Sequence, residues 1–294
     1  MAVREETGEK RWSSVLSDLF KARLTALVLL TTLVGFYVGS RGPVDYSLMF
    51  HALAGTGLLA CGAAALNQLL EHKFDAQMQR TSSRPLPSGQ MTYRQVLLVG
   101  VGTSTLGLVW LAAMVNPLTA FLGVLTLVSY LFLYTPLKRI TTLNTAVGAI
   151  PGALPPLMGW TAARGYLSIE GWSLFAILFF WQLPHFLAIA WMYRDDYARG
   201  GFAMLPVVDK SGGRTGRQAF SHALGLLPVS LFPAILGVSG VIYFAGALVL
   251  STIFAKFAWD FARDLSHQRA RILFFASIIY LPLLFALLVL DKLK

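Results

Sequence analysis

Nine apolar runs follow one another along this chain, at residues 24–40, 49–72, 93–114, 117–136, 142–163, 171–193, 219–237, 240–259 and 272–290. A helix of about 20 such residues spans the ~30 Å hydrocarbon layer of a bilayer. Lipid offers a backbone no water to bond to, so runs of this kind fold as helices that satisfy their own N–H and C=O groups. Hydrophobic residues make up 56% of the 294 positions and charged residues only 13%, far from a soluble composition. The spacing leaves no room for a separate soluble domain. The expectation is an all-α integral membrane protein with nine transmembrane helices in a single bundle. Residues 1–294 then form one membrane domain, with 1–20 as a polar N-terminal segment.

The formal net charge of +10 comes from 24 Lys and Arg against 14 Asp and Glu. With the N-terminus cytoplasmic, 20 of the 24 basic residues fall in inside segments. The outside segments hold only Arg41, Arg164, Lys292 and Lys294. This is a positive-inside pattern, and with nine spans it puts the C-terminus outside. The basic excess is thus explained by topology in the lipid bilayer, with no nucleic acid partner expected. Glu5, Glu6 and Glu9 argue against a transit or cleaved signal peptide, which points to a bacterial inner membrane. Cys61 is the single cysteine and has no partner for an internal disulfide.

The two long polar inside loops, at 73–92 and 194–218, each follow a run that ends in polar residues. The chemistry, and the mouth of any active-site cavity, are therefore expected on the cytoplasmic side. Before the first loop, Asn67, Glu71 and Asp75 stand four residues apart. Each four-residue step on a helix drifts only about 40°, so the three share one face. Hard oxygen ligands of this kind suit Mg²⁺, which takes one or two carboxylates and completes its shell with water and phosphate oxygens. Arg80 and Arg84 follow as candidate phosphate donors. The plainer alternative is a solvated helix end with topological arginines.

The second loop begins at Arg194-Asp195-Asp196-Tyr197, with Arg199, Gly200 and Gly201 after it. Asp195 and Asp196 read as ligands of a second Mg²⁺ or as solvated helix-end acids. His185 lies 11 residues before Asp196, about three turns back on the same face. It reads as a packing histidine or as a functional one. Tyr134, Lys138 and Arg139 close the fourth run. They reach phosphate or orient the acids, or else form an aromatic belt with snorkelling cations. Lys21 and Arg23 carry the same two readings.

These motifs agree in order and spacing with a known group. Asn67-x-x-x-Glu71-x-x-x-Asp75-x-x-Met78-x-Arg80-Thr81-x-x-Arg84-Pro85 is followed by Tyr134-Thr135-x-Leu137-Lys138-Arg139. Gly148, Gly152, Pro155, Pro156, Gly159 and Trp160 come next, then Pro184-His185-Phe186, Arg194-x-Asp196-Tyr197 and Gly200-Gly201. From about residue 18 onward the chain resembles the intramembrane aromatic prenyltransferase superfamily, and within it the haem-farnesylating branch. The resemblance implies Mg²⁺-dependent transfer of farnesyl from farnesyl diphosphate to the 2-vinyl group of haem B, with addition of water. The product, haem O, would pass to a downstream haem A synthase.

By the same resemblance Asn67, Glu71, Asp75 and Asp196 are catalytic, with Asp195 added to them as metal ligands. Lys73, Arg80, Arg84, Tyr134, Lys138, Arg139 and Arg199 bind diphosphate. His185, Trp191 and Tyr193 are candidates for haem contact, with proton carrier as another role for His185. The chain departs from the pattern at three places. Glu71 stands where the superfamily favours aspartate, Tyr193 and Tyr197 flank the second acidic pair, and Ala22 stands where the branch commonly has proline. Prenylation of an aromatic acid or quinone precursor remains the alternative within the class. A transporter or a non-catalytic assembly factor is the alternative outside it.

Overall fold

The structure, a computed structural model, describes residues 11–293; Glu5, Glu6, Glu9 and Lys294 lie outside the described residues. The helices in order are α1 (Trp12–Leu19), α2 (Ala22–Gly39), α3 (Tyr46–Asp75), α4 (Tyr93–Met114) and α5 (Pro117–Val128). A π-helical stretch (Ser129–Tyr134) leads into α6 (Thr135–Leu137). Then come α7 (Asn144–Arg164), α8 (Ile169–Met192), α9 (Arg194–Arg199), α10 (Leu205–Val208), α11 (Gly213–Ile235), α12 (Val241–Arg263) and α13 (His267–Leu290). Their starts follow from local chemistry. Asp45 accepts the N–H of Leu48, Thr92 and Gln95 form a reciprocal capping box, and Asn116 caps a helix opened by Pro117.

Eight helices among the described residues are long and apolar enough to cross a membrane, so the chain is an integral membrane protein. The expected fifth span, α7, is a 21-residue helix but is not one of the eight. Its sequence carries Pro151, Pro155 and Pro156 together with several glycines, which lowers its hydropathy. The physical reason is its position. Residues from Ala153 to Ala162 on α7 are buried without a break, so the helix meets protein where others meet lipid.

α7 packs against α2, α5 and α8, while α8 packs against α11 and α13. α3 packs against α2 and α4, α11 against α12, and α12 against α13, which returns to α2. The α2–α7 contact brings the two backbones close together. A Cβ on Gly35 would run into the carbonyl of Pro156, and one on Gly159 into that of Thr32.

α3 has 30 residues and so a length of about 45 Å, well beyond the ~30 Å of hydrocarbon. Part of it therefore projects past the apolar layer. The polar segment before the first span also contains a short helix, α1, that the hydropathy pattern did not reveal. Val15 and Leu19 pack with Ala65 and Leu69 of α3 and with Met91 and Val96. Gln68 Nε2 donates to the carbonyls of Asp18 and Leu19 at 2.9 and 2.8 Å, which fixes the end of α1 to α3. Between α2, α3, the π-helical stretch, α7 and α8 lies a cavity of about 330 Å³.

Candidate active site

Asn67, Glu71 and Asp75 do fall on one face of α3, and all three are buried. Asn67 Nδ2 donates to Glu71 Oε2 at 2.8 Å. Lys138 Nζ donates to Glu71 Oε1 at 2.7 Å, with its ammonium 4.4 Å from the centre of the Tyr134 ring. Arg84 Nη1 lies 2.5 Å from Asp75 Oδ2, and Thr81 Oγ1 donates to the Asp75 carbonyl at 2.9 Å. Burial disfavours the Lys138 ammonium, but Glu71, with Tyr134 and Tyr130, outweighs it and holds the pKa above the ordinary lysine value. Buried ion pairs contribute little net stability, because desolvation cancels most of the attraction. Two of them at one helix end therefore point to a site more than to a scaffold.

The π-helical stretch delivers the tyrosines. It widens the turn between α5 and α6, so that Tyr130 and Tyr134 stack, with centroids 5.7 Å apart, and both line the cavity. The Thr135 hydroxyl fills the widened turn, 2.9 Å from the Tyr130 carbonyl and 3.1 Å from Asn67 Oδ1. Gly148 of α7 leaves the room that the Tyr134 ring occupies.

The 73–92 and 194–218 loops touch each other over this end of the cavity. Asp196 is buried and accepts from the N–H of Gln79 at 2.9 Å and of Arg80 at 3.2 Å. Arg199 donates to the same carboxylate at 2.7 Å. Burial works against its charge, but these donors prevail and hold the Asp196 pKa below the ordinary aspartate value. Met78 packs with Ala190, Phe202 and Met204, and the Ala203 N–H donates to the Lys138 carbonyl at 2.7 Å. Gly200 lies against Met78, and Gly201 has a φ of 68°, which suits glycine. Arg80 lines the cavity with its guanidinium over the rings of Tyr193 and Tyr197.

Several expected residues stand apart from the cavity. Asp195 is exposed, 3.9 Å from Arg194, and neither it nor Asp196 lines the cavity. Lys73 is exposed, Arg139 is exposed with its guanidinium over the Phe74 ring, and Arg199 serves Asp196. Trp191 is in the core against Phe261, and Tyr193 ends α8 under Arg80. Of the three aromatic candidates only His185 lines the cavity.

Lys21, open in the sequence between a phosphate contact and a topological cation, was not among the site residues implied by the resemblance. It lines the cavity, and no hydrogen bond or ion pair holds its ammonium among the described residues. It is also the only non-glycine among them with positive φ, at 47°. Such a backbone costs about 1–3 kcal/mol and persists where surrounding structure imposes it. Here the α1–Gln68 anchor supplies that constraint. Burial lowers the Lys21 pKa to about 7, aided by Arg84 and Lys138 and opposed by Glu71 and Asp75. A lysine just before the first span was the only sequence signal. It is shared with ordinary topological cations.

One observation tests whether Mg²⁺ suits these residues. Asp75 Oδ1 is buried and has no hydrogen-bond partner. A buried lone carboxylate oxygen is costly and asks for a cation. Glu71 and Asp75 are one turn apart, while no group of three or more His, Cys, Asp or Glu among the described residues could hold a metal unaided. That fits an ion bound by two carboxylates and completed by a ligand's phosphate oxygens, the usual habit of Mg²⁺. The opposite end of the cavity is apolar and aromatic, with Leu59, Leu178, Trp181 and Phe186 among its walls. The chamber thus offers anion-binding cations and a metal-suited oxygen at one end and a hydrocarbon lining at the other.

Comparison with known proteins places this arrangement. Residues 28–279 match the model of the UbiA prenyltransferase family. The chain is 47% identical over 284 residues to the protoheme IX farnesyltransferase of Solibacter usitatus, covering 94% of this chain and 97% of that one. It is 38% identical over 299 residues to the mitochondrial protoheme IX farnesyltransferase of Homo sapiens, covering 98% of this chain and 67% of that one. A solved digeranylgeranylglyceryl phosphate synthase shares the fold with a TM-score of 0.80 at 14% identity, over 95% of this chain and 98% of its own. A UbiA homolog from Archaeoglobus fulgidus, solved with GPP and Mg²⁺, does so with a TM-score of 0.66 at 15% identity, over 93% and 99%. With most of its length matched by the family model and by relatives this similar, the chain belongs to the UbiA prenyltransferase family.

Proposed function

We propose that this protein transfers the farnesyl group of farnesyl diphosphate to the 2-vinyl group of haem B, with addition of water, giving haem O. The observation that carries the reading is the 47% identity to a protoheme IX farnesyltransferase across nearly the whole of both chains. The bipolar cavity supports it, since a prenyl diphosphate has one dianionic or trianionic end and one hydrocarbon end.

Glu71 and Asp75 would hold Mg²⁺, with Asn67 fixing the rotamer of Glu71. When bound, the metal neutralises charge that develops on the diphosphate as the C1–O bond breaks. Lys21, Arg80 and Arg84 face the same space and stabilise that charge directly. Lys138 acts by holding Glu71, and Tyr130 and Tyr134 wall the site beside it. The apolar walls keep water from the allylic cation until the vinyl group attacks C1. Asp196 is assigned to the loop contact, because it stands outside the cavity lining and accepts from Gln79, Arg80 and Arg199. One Mg²⁺ is therefore proposed.

Placement in the cell completes the proposal. α7 is taken as the ninth crossing of a single membrane domain, with the N-terminus and cavity mouth cytoplasmic and the C-terminus outside. The positive-inside count supports this, and the membrane is taken to be a bacterial inner membrane with a haem A synthase acting next. A transporter is less well supported, since the carboxylates, lysines and arginines of the lining gather at one end of the cavity.

The test combines purified protein, haem B, farnesyl diphosphate and Mg²⁺, with product identified by mass spectrometry. Haem O is expected from the wild type and is lost in Asp75→Ala. Absence of haem O with the wild type, or undiminished product with the variant, overturns the reading. Parallel incubations with an aromatic acid and a quinone precursor separate it from the alternative within the class.

A further inference from the structure

His185 stands in the aromatic part of the cavity, on α8. Its ring stacks with Trp181, one turn earlier, and with Phe274 of α13, at centroid distances of 5.1 Å each. Nδ1 lies 2.7 Å from Ser277 Oγ. The protonation of this pair follows from a count of hydrogens. Ser277 Oγ is 2.5 Å from the Phe274 carbonyl, which can only accept, so the single hydroxyl proton is committed there. Ser277 must then accept from His185, and the imidazole carries its proton on Nδ1. The lone pair is left on Nε2. Trp181 Nε1 donates to the Ser277 carbonyl at 2.9 Å, so one residue of α13 fixes both rings.

Nε2 has no hydrogen-bond partner among the described residues, and the side chain lines the cavity. A ring held by its own N–H on a fixed oxygen, with the other nitrogen open to an apolar space, is how metal-ligating histidines are oriented. The two ends of the chamber are also sorted by ligand type. Hard carboxylates stand at Glu71 and Asp75, and a borderline imidazole stands here, which suits iron. We propose that His185 Nε2 is an axial ligand to the iron of a bound iron porphyrin, fixing the macrocycle within the cavity. The Fe–N bond forms from the free lone pair and displaces a weak axial ligand such as water. No proton is released and no electron is transferred. The proposal rests on haem B as the acceptor substrate.

The experiment titrates haem B into the full chain in detergent and records the Soret band and the electron paramagnetic resonance spectrum. The wild type is expected to show a histidine-ligated iron. His185→Ala loses that signature and free imidazole restores it. His185→Met fills the same space and gives the different spectrum of a thioether ligand. Ser277→Ala keeps the ligand but weakens haem binding on the order of 10-fold, as loss of an outer partner does. A His185→Ala spectrum and affinity equal to the wild type overturn the proposal. Haem O synthesis by wild type in that case leaves the proposed function standing. A His185-dependent spectrum without haem O formation supports ligation and removes the proposed function instead.

Discussion

The carboxylate of Asp196 accepts the backbone N–H of Gln79 at 2.9 Å, a contact between the 194–218 and 73–92 loops of the bundle. The same carboxylate takes the N–H of Arg80, whose guanidinium faces the cavity over Tyr193 and Tyr197. An acid of the second motif is therefore aimed at the turn that carries a cation of the first. Asp196→Asn keeps one acceptor but brings an amide N–H against a backbone N–H, at a cost of about 1–3 kcal/mol. Faster hydrogen exchange at Gln79 and Arg80 is expected, with KM for farnesyl diphosphate raised on the order of 10-fold. The Mg²⁺ concentration for half activation should stay the same. A shift in that concentration with unchanged exchange would return Asp196 to the metal.

Asp75 predicts the opposite pattern. Its Oδ1 is the buried oxygen without a partner, so Asp75→Asn removes the charge that asks for a cation and alters little of the shape. Half activation by Mg²⁺ should move up by at least about 10-fold, the scale of 1.4 kcal/mol, while exchange in the loop is unaffected. Unchanged Mg²⁺ dependence would show that Asp75 is not a ligand.

Lys138 and Glu71 form a pair that should be harmful to split and tolerable to delete. Lys138→Met leaves a buried carboxylate with only the Asn67 amide, at a cost of about 3–5 kcal/mol. Glu71→Gln in that background should restore most of the melting temperature while activity stays absent. A double variant as unstable as Lys138→Met would mean that packing, not charge, governs this position.

Gly148 sets the position of Tyr134. A methyl group there would stand about 2.5 Å from the Tyr134 ring, so Gly148→Ala must push the ring into the cavity. Overpacking of this kind costs about 1–3 kcal/mol. Expected is a folded protein with a reduced rate. Restoration of activity by adding Tyr134→Leu or Tyr134→Ala would identify the ring as the displaced group, and failure of both would locate the damage elsewhere.

Much of this was legible in the chain. The apolar runs located every long helix to within a few residues at most ends, because lipid leaves a backbone no alternative to helix. The Asn67–Glu71–Asp75 column was legible for the same reason, since its geometry is that of the helix. What hydropathy could not read was the behaviour of polar chain. α1 is too short and too mixed to register, yet it anchors Lys21 through Gln68. Asp195 and Asp196 look equivalent in sequence, and only the approach of the 73–92 loop separates an exposed acid from a buried one. Trp191 shares the helix of His185, but it lies six residues on, about 120° short of two full turns, and enters the core. α7 was placed correctly as a helix while its low hydropathy, the consequence of burial among other helices, kept it out of the eight.

Asp209 offers a prediction outside the site, where pH reports on loop structure. Its carboxylate accepts the N–H of Arg214 and Thr215 at 2.8 Å each, and the hydroxyls of Ser211 and Thr215. Burial disfavours the charge, but the Thr215, Ser211 and Arg214 donors prevail and hold its pKa below the ordinary 3.8. A folded pKa below the unfolded one stabilises the fold above the unfolded value, and the gain is lost as pH falls through the folded one. Asp209→Asn should therefore be less stable than the wild type at pH 7, by about 1–3 kcal/mol. The difference in melting temperature between the two should shrink as pH is lowered beneath about 4, where the wild-type carboxylate also takes up a proton. A difference that stays constant from pH 7 down to pH 3 would mean that the shape of the side chain, and not its charge, holds the start of α11.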